Sequence, residues 1–78
     1  MKNDIEGINM LGLRIHNGLK NKKVTAKYMA ECTGLTEASI SNYINGSRTP
    51  NLKALIAMAD FFETSIDDLI GRKVEKND

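Results

Sequence analysis

The chain has no tryptophan, one proline and one cysteine, and aromatic residues make up only 5% of its 78 positions. With a single thiol, Cys32, an internal disulfide is excluded, and nothing points to the oxidising compartments that favour disulfide scaffolds. No apolar run is long enough to span a bilayer, and the polar start of the chain holds no signal core, so the reading is a cytoplasmic protein without a membrane partner. Alternating polar and apolar stretches are nearly missing, and the glycines stand at breaks between periodic segments rather than in hairpins, which argues against a sheet. His16 is the one histidine and has no companion ligands at metal spacing, and neither a phosphate loop nor a nucleophile elbow is present. Asp67 and Asp68 are adjacent and diverge on a helix, so they make no acid–base pair. These absences predict no catalysis, no metal, no cofactor and no small-molecule ligand.

What remains is 41% apolar residues, mostly Leu, Ile, Met and Ala, enough for one small helical core. The expected organisation is a single domain over 1–78, with an N-terminal arm over 1–7, helices between about 8 and 70, and a charged tail over 71–78. Net charge is only +1, but it is unevenly spread. Between Gly12 and Ala59, Arg14, Lys20, Lys22, Lys23, Lys27, Arg48 and Lys53 face only Glu31 and Glu37, whereas from Asp60 onward acids outnumber bases. A basic body and an acidic end suit either solvated helix faces or an anionic partner.

Ile8, Leu11, Ile15 and Leu19 recur at three- and four-residue steps and predict a first helix over about 8–21. Gly12, beside that stripe, marks close approach of another helix; Leu13 falls off the stripe. Lys20, Lys22 and Lys23 meet the negative end of the helix dipole and would equally suit phosphates. Thr25 caps a second helix over about 26–33, with Met29, Ala30 and Thr33 inward, Cys32 as a small space-filler, and Gly34 as the terminating residue. Leu35 plugs the core and Thr36 caps a third helix over about 37–45. There Ile40, Ile44 and part of Tyr43 share one side, and Glu37, Ala38, Ser41 and Asn42 the other. After Gly46 and a loop ending at Pro50, Asn51 caps a fourth helix running to about 62, with Leu52, Leu55, Met58, Ala59 and Phe62 inward. Ser65 caps a short last helix carrying Ile66, Leu69 and Ile70, closed by Gly71.

Residues 25–34, then 35–46, then Arg48-Thr49-Pro50 and the closing stretch from Leu52 to Ile70 resemble the Cro/C1-type, or lambda-repressor-like (XRE), helix-turn-helix domains. The resemblance covers about 11–70 and implies an all-α, five-helix domain whose third helix enters the major groove of DNA. Carried over position by position, it implies base contacts from Glu37, Ala38, Ser41 and Asn42. It implies phosphate contacts from Thr25, the Ala26 N–H, Lys27, Thr36, Ser39, Asn45, Ser47 and Arg48. The chemistry agrees: Asn42 can pair in bidentate fashion with adenine, Ala38 can pack on a thymine methyl, and Glu37 can accept from a cytosine amine.

Two departures stand out. Ala26 stands where such domains often carry a phosphate-anchoring Gln, and Leu19 and Ile44 stand where many pair an Arg with a Glu. Two aliphatic residues replacing an ion pair are expected to meet in the core, since no charge then needs desolvation. The implied partner is double-stranded DNA, bound as a homodimer through the C-terminal helices at two-fold-related half-sites about 34 Å apart. The implied role is a transcriptional repressor associated with the nucleoid. The alternative is a protein-interaction module, antitoxin- or adaptor-like, on the same fold.

Overall fold

A computed structural model describes residues 10–71; the expected arm, the helix start at Ile8 and the tail beyond Gly71 lie outside the described residues. Among these residues five helices follow one another: α1 (Leu11–Lys22), α2 (Ala26–Thr33), α3 (Glu37–Asn45), α4 (Leu52–Phe61) and α5 (Ile66–Leu69). The boundaries expected for α2 and α3 hold to the residue, and α4 stops one residue early, at Phe61.

The starts have a common chemical cause. Thr25 Oγ1 accepts from the Tyr28 N–H at 3.0 Å, Thr36 Oγ1 from the Ser39 N–H at 3.0 Å, Asn51 Oδ1 from the Ala54 N–H at 2.8 Å, and Ser65 Oγ from the Asp68 N–H at 3.0 Å. Each bond satisfies a first-turn donor that has no helical acceptor. At the other ends, Gly34 (φ 78°) and Gly46 (φ 82°) supply the left-handed residue that stops α2 and α3. The end of α1 differs: Lys23 takes the left-handed conformation (φ 59°), and its N–H reaches the Leu19 and Lys20 carbonyls. Lys23 therefore makes the terminating turn itself, in addition to the charge read for it from sequence.

Among the described residues four side chains are essentially inaccessible to solvent, Ile15, Met29, Ile40 and Met58, one from each of α1 to α4. Leu69 adds the contribution of α5. Burying each removes apolar surface worth about 1.5–3 kcal/mol, so every helix is tied to the others by at least one such contribution. α3 packs on α1 and α2, α4 on α2 and α5, and α5 returns to α1. Leu19 is buried, and Ile44, half-buried, packs against the cluster that contains Leu19, so neither is exposed. The expected close approach at Gly12 is present, and its neighbour is the last turn of α3.

Two inward assignments are corrected. Leu52 was expected in the core and is 65% exposed; Ala54, 3% exposed, takes the inward place. Leu52 is the first residue of α4, at the margin of its apolar stripe, and none of the described residues buries it. Cys32 was expected to fill space and is exposed. The turn that buries Met29 and Ala30 leaves the next two positions, Glu31 and Cys32, in solvent.

Because Lys23 holds a conformation that costs a side-chain-bearing residue about 1–2 kcal/mol, partly offset by the entropy a glycine loses on folding, Lys23→Gly is expected to stabilise the fold by about 0.5–1 kcal/mol. Thermal unfolding followed by circular dichroism should register a rise of a few degrees; an unchanged or lower midpoint would contradict this account of the turn.

Candidate nucleic-acid interface

α3 is short, and its placement comes from one face. Ile40 is fully buried, while Tyr43 and Ile44 are half-buried against the core. The opposite edge is left to solvent: Glu37, Ala38 and Ser41 are exposed and Asn42 is half-buried. The four side chains expected at bases therefore share the open edge of one helix, and Asn45, one turn beyond Ser41 and Asn42, continues it.

Both ends of α3 are fixed by local hydrogen bonds. At its start the Thr36 hydroxyl accepts from the Ser39 N–H and donates to Ser39 Oγ at 2.9 Å, which leaves the Ser39 hydroxyl proton for an external acceptor. At its end Asn45 Oδ1 accepts from the Ser47 N–H at 2.8 Å and from the Ser47 hydroxyl at 2.5 Å. The Arg48 N–H donates to the Asn42 carbonyl at 3.3 Å. These bonds fold the following loop onto the last turn, and Asn45, Ser47 and Arg48 are all exposed there. The Asn45 link is legible as the side-chain turn that Asn-Gly-Ser favours. The Thr36–Ser39 hydroxyl pair depends on rotamers and had no sequence signal.

At the start of α2, Thr25 and Lys27 are exposed, and Ala26 is half-buried with its methyl group toward the core. The first-turn N–H groups of Ala26 and Lys27 have no helical acceptor and sit at the positive end of the helix dipole, where an anion is favoured. Of the lysines ending α1, Lys22 is engaged: its Nζ lies 5.5 Å from the centroid of the Phe61 ring. Phe61 also stands 6.2 Å from Tyr28 and 5.1 Å from Phe62, centroid to centroid. Lys20 and Lys23 are exposed.

Glu37, in the first turn of α3, is stabilised by the positive end of that dipole and would repel a phosphate, so it suits a base edge rather than a backbone. Among the described residues no three His, Cys, Asp or Glu side chains come together to hold a metal ion. No helix among them is long and apolar enough to cross a membrane.

The order of parts is thus a capped helix, a turn at Gly34, and a second capped helix with one buried and one open edge. A family model described as helix-turn-helix matches residues 15–69. The chain belongs to this helix-turn-helix family. Relatives include the HTH-type transcriptional regulator AnsR of Bacillus subtilis, 37% identical over 57 residues, which covers 73% of this chain and 49% of AnsR. The HTH-type transcriptional regulator YqaE of the same organism is 37% identical over 59 residues, 76% of this chain and 49% of YqaE. The cryptic phage CTXphi transcriptional repressor RstR of Vibrio cholerae is 36% identical over 59 residues, 76% of this chain and 53% of RstR. The chain spans about half the length of these relatives.

The capping geometry of the motif has a measurable consequence. Thr36→Ala removes the acceptor for the Ser39 N–H and should cost about 1 kcal/mol in urea unfolding, while Thr36→Ser should retain most of that stability. Equal stability of the Thr36→Ala chain and the parent would show that the cap contributes nothing.

Proposed function

We propose that this protein is a sequence-specific DNA-binding transcriptional regulator, most simply a repressor that occludes a promoter, and that it places α3 in the major groove. The observation that carries this reading is the division of α3 itself, with Ile40 fully buried and Glu37, Ala38 and Ser41 open to solvent. Membership of a family with named transcriptional regulators supports it. Asn42 pairs with adenine, Ala38 packs on a thymine methyl, Glu37 accepts from a cytosine amine, and Ser41 reaches the neighbouring base. The phosphates flanking the groove are held at three places: Thr25, the Ala26 N–H and Lys27; Thr36 and Ser39; Asn45, Ser47 and Arg48. The site of action is the cytoplasmic nucleoid.

Two copies act together on related half-sites. The surface that supports this lies on α4, where Leu52 and Ile56 are 65% and 45% exposed one helical turn apart. Two large aliphatic side chains at that spacing form a ridge that gains by being covered. A second reading, a protein-interaction module, is favoured by the net charge of +1 and by Glu37 at the tip of α3.

Titration of labelled random-sequence duplex at two salt concentrations separates the two readings: a DNA binder loses affinity as salt rises, and an interaction module binds at neither. Duplexes selected by the protein from a random pool then give the operator. On that duplex Asn42→Ala should lose about 1–3 kcal/mol of discrimination at one base pair, roughly 5- to 150-fold, and leave random duplex nearly unaffected. Arg48→Ala should weaken every duplex and lower the slope of log K against log salt by about 1. Leu52→Asp with Ile56→Asp should leave a folded monomer in sedimentation and remove cooperative filling of paired half-sites. A dimer that persists in this double variant places the two-fold contact elsewhere.

A further inference from the structure

The contact between α1 and α3 yields a positioning residue for the DNA interface, an inference that rests on the DNA-binding reading above. Gly12 is buried in the first turn of α1. A Cβ there would collide with the Ile44 carbonyl oxygen and stand 2.8 Å from the Ile44 carbonyl carbon and 3.1 Å from the Tyr43 oxygen. These carbonyls belong to the last turn of α3. The N–H groups four residues further on, which would bond them in a longer helix, are used elsewhere: that of Ser47 by Asn45 Oδ1, and that of Arg48 by the Asn42 carbonyl. The open carbonyl end of α3 therefore lies on the Gly12 backbone, where a Cα–H can face it. Among the described residues the first turn of α1 has neither an acidic residue nor a side-chain cap, and Gly12 brings its positive end beside the negative end of α3.

This contact is backbone on backbone, and no rotamer change can relieve an added methyl group. One helix has to move. Gly18, on the same helix, is the natural control: a Cβ there would stand 2.6 Å from Phe62 Cε1 and 3.0 Å from Cδ1 and Cζ, all atoms of a side chain rather than of α3.

We propose that Gly12 sets the tilt of α3, and with it the depth of Ser41 and Asn42 relative to the phosphate anchors at Asn45, Ser47 and Arg48. The fulcrum is Ile40, the fully buried side chain in the middle of the helix. Ile44 lies four residues from it, about 6 Å along the axis, so a push of about 1 Å at the Ile44 carbonyl turns the helix by on the order of 10°. Hydrogen bonds to base edges tolerate a spread of only about 0.5 Å in length, whereas phosphate attraction is long-ranged and forgiving. A tilted α3 keeps its hold on DNA and loses its reading of sequence.

The test compares the wild-type chain, Gly12→Ala and Gly18→Ala at a temperature where circular dichroism shows all three folded. The probes are the duplex that the wild type selects from a random pool and a random-sequence duplex of equal length. Gly12→Ala is expected to bind random duplex within about threefold of wild type and to lose at least about tenfold on the selected duplex. Gly18→Ala is expected to keep the selected-to-random ratio within about twofold, whatever its melting temperature. Residual dipolar couplings of the amides of residues 37–45 should report a changed angle between α3 and α1 in Gly12→Ala alone. A wild-type ratio in folded Gly12→Ala, or an equal loss in Gly18→Ala, overturns the proposal. If Gly12→Ala fails to fold even in the Lys23→Gly background, the glycine is a requirement of the fold rather than a setting of the helix angle, and the proposal is withdrawn. If the wild type selects no duplex, the DNA reading fails instead, and the dipolar couplings alone decide whether Gly12 sets the tilt.

Discussion

Burial of Ile40 is the interaction on which the rest depends. A nine-residue helix such as α3 has almost no stability by itself, because nucleation costs more than so few hydrogen bonds return. Its helicity is conferred by the core that receives Ile40, made by Ile15, Met29 and Met58 from three other helices. The same side chain that stabilises α3 also orients it: with Ile40 inside and Tyr43 and Ile44 half inside, the edge bearing Glu37, Ala38 and Ser41 has nowhere to go but outward. Stability and presentation of the open edge are one constraint seen from two sides. In a chain of this size the net stability is a few kcal/mol, so loosening any of the four fully buried residues loosens the aim of α3.

Much of this was legible in the residues. Thr25, Thr36, Asn51 and Ser65 announced four helix starts because a short polar side chain before an apolar period has one common structural use, and Gly34 and Gly46 announced two ends for the corresponding reason. What failed was information that lies outside the helix concerned. Periodicity places Leu52 on an apolar stripe, yet whether a stripe residue at the first helical position is covered depends on how far the neighbouring helices extend. Ala54 is buried instead, and an alanine carries too little apolar signal to reveal that. The left-handed turn at Lys23 was hidden because no glycine or asparagine marked it. At the interface the residue types and their shared edge were readable. The bond from the Thr36 hydroxyl to Ser39 and the partner of Gly12 required coordinates, since both join atoms whose approach no sequence spacing specifies.

The modest charge of the chain bears on how the proposed operator complex would reach useful affinity. Few lysines and arginines line α2, α3 and the following loop, and Lys22 is held by Phe61, so counterion release supplies a limited share of binding. A single domain of this kind covers about 600–1,000 Å² of its own surface on DNA, little for a tight complex. Both limits point the same way. In the proposed complex, selectivity would come from the short side chains of α3 and affinity from joining two copies, the role proposed for the exposed Leu52 and Ile56.

The departures from the family pattern at Leu19 and Ile44 then acquire a consequence. An Arg–Glu pair at these positions would tie the last turn of α3 to α1 by a directional bond between side chains. In this chain the two positions are aliphatic; Leu19 is buried and Ile44 packs against the same cluster. Burial of Ile40 fixes which edge of α3 faces outward, whereas the angle of its axis about that point is set by contacts nearer its ends. With no charge pair there, the close approach of its backbone to Gly12 is an angular restraint on the carbonyl end of α3. On the proposal above, aliphatic residues at positions 19 and 44 spare the core the desolvation of two charges and leave the helix angle to a residue with no side chain at all.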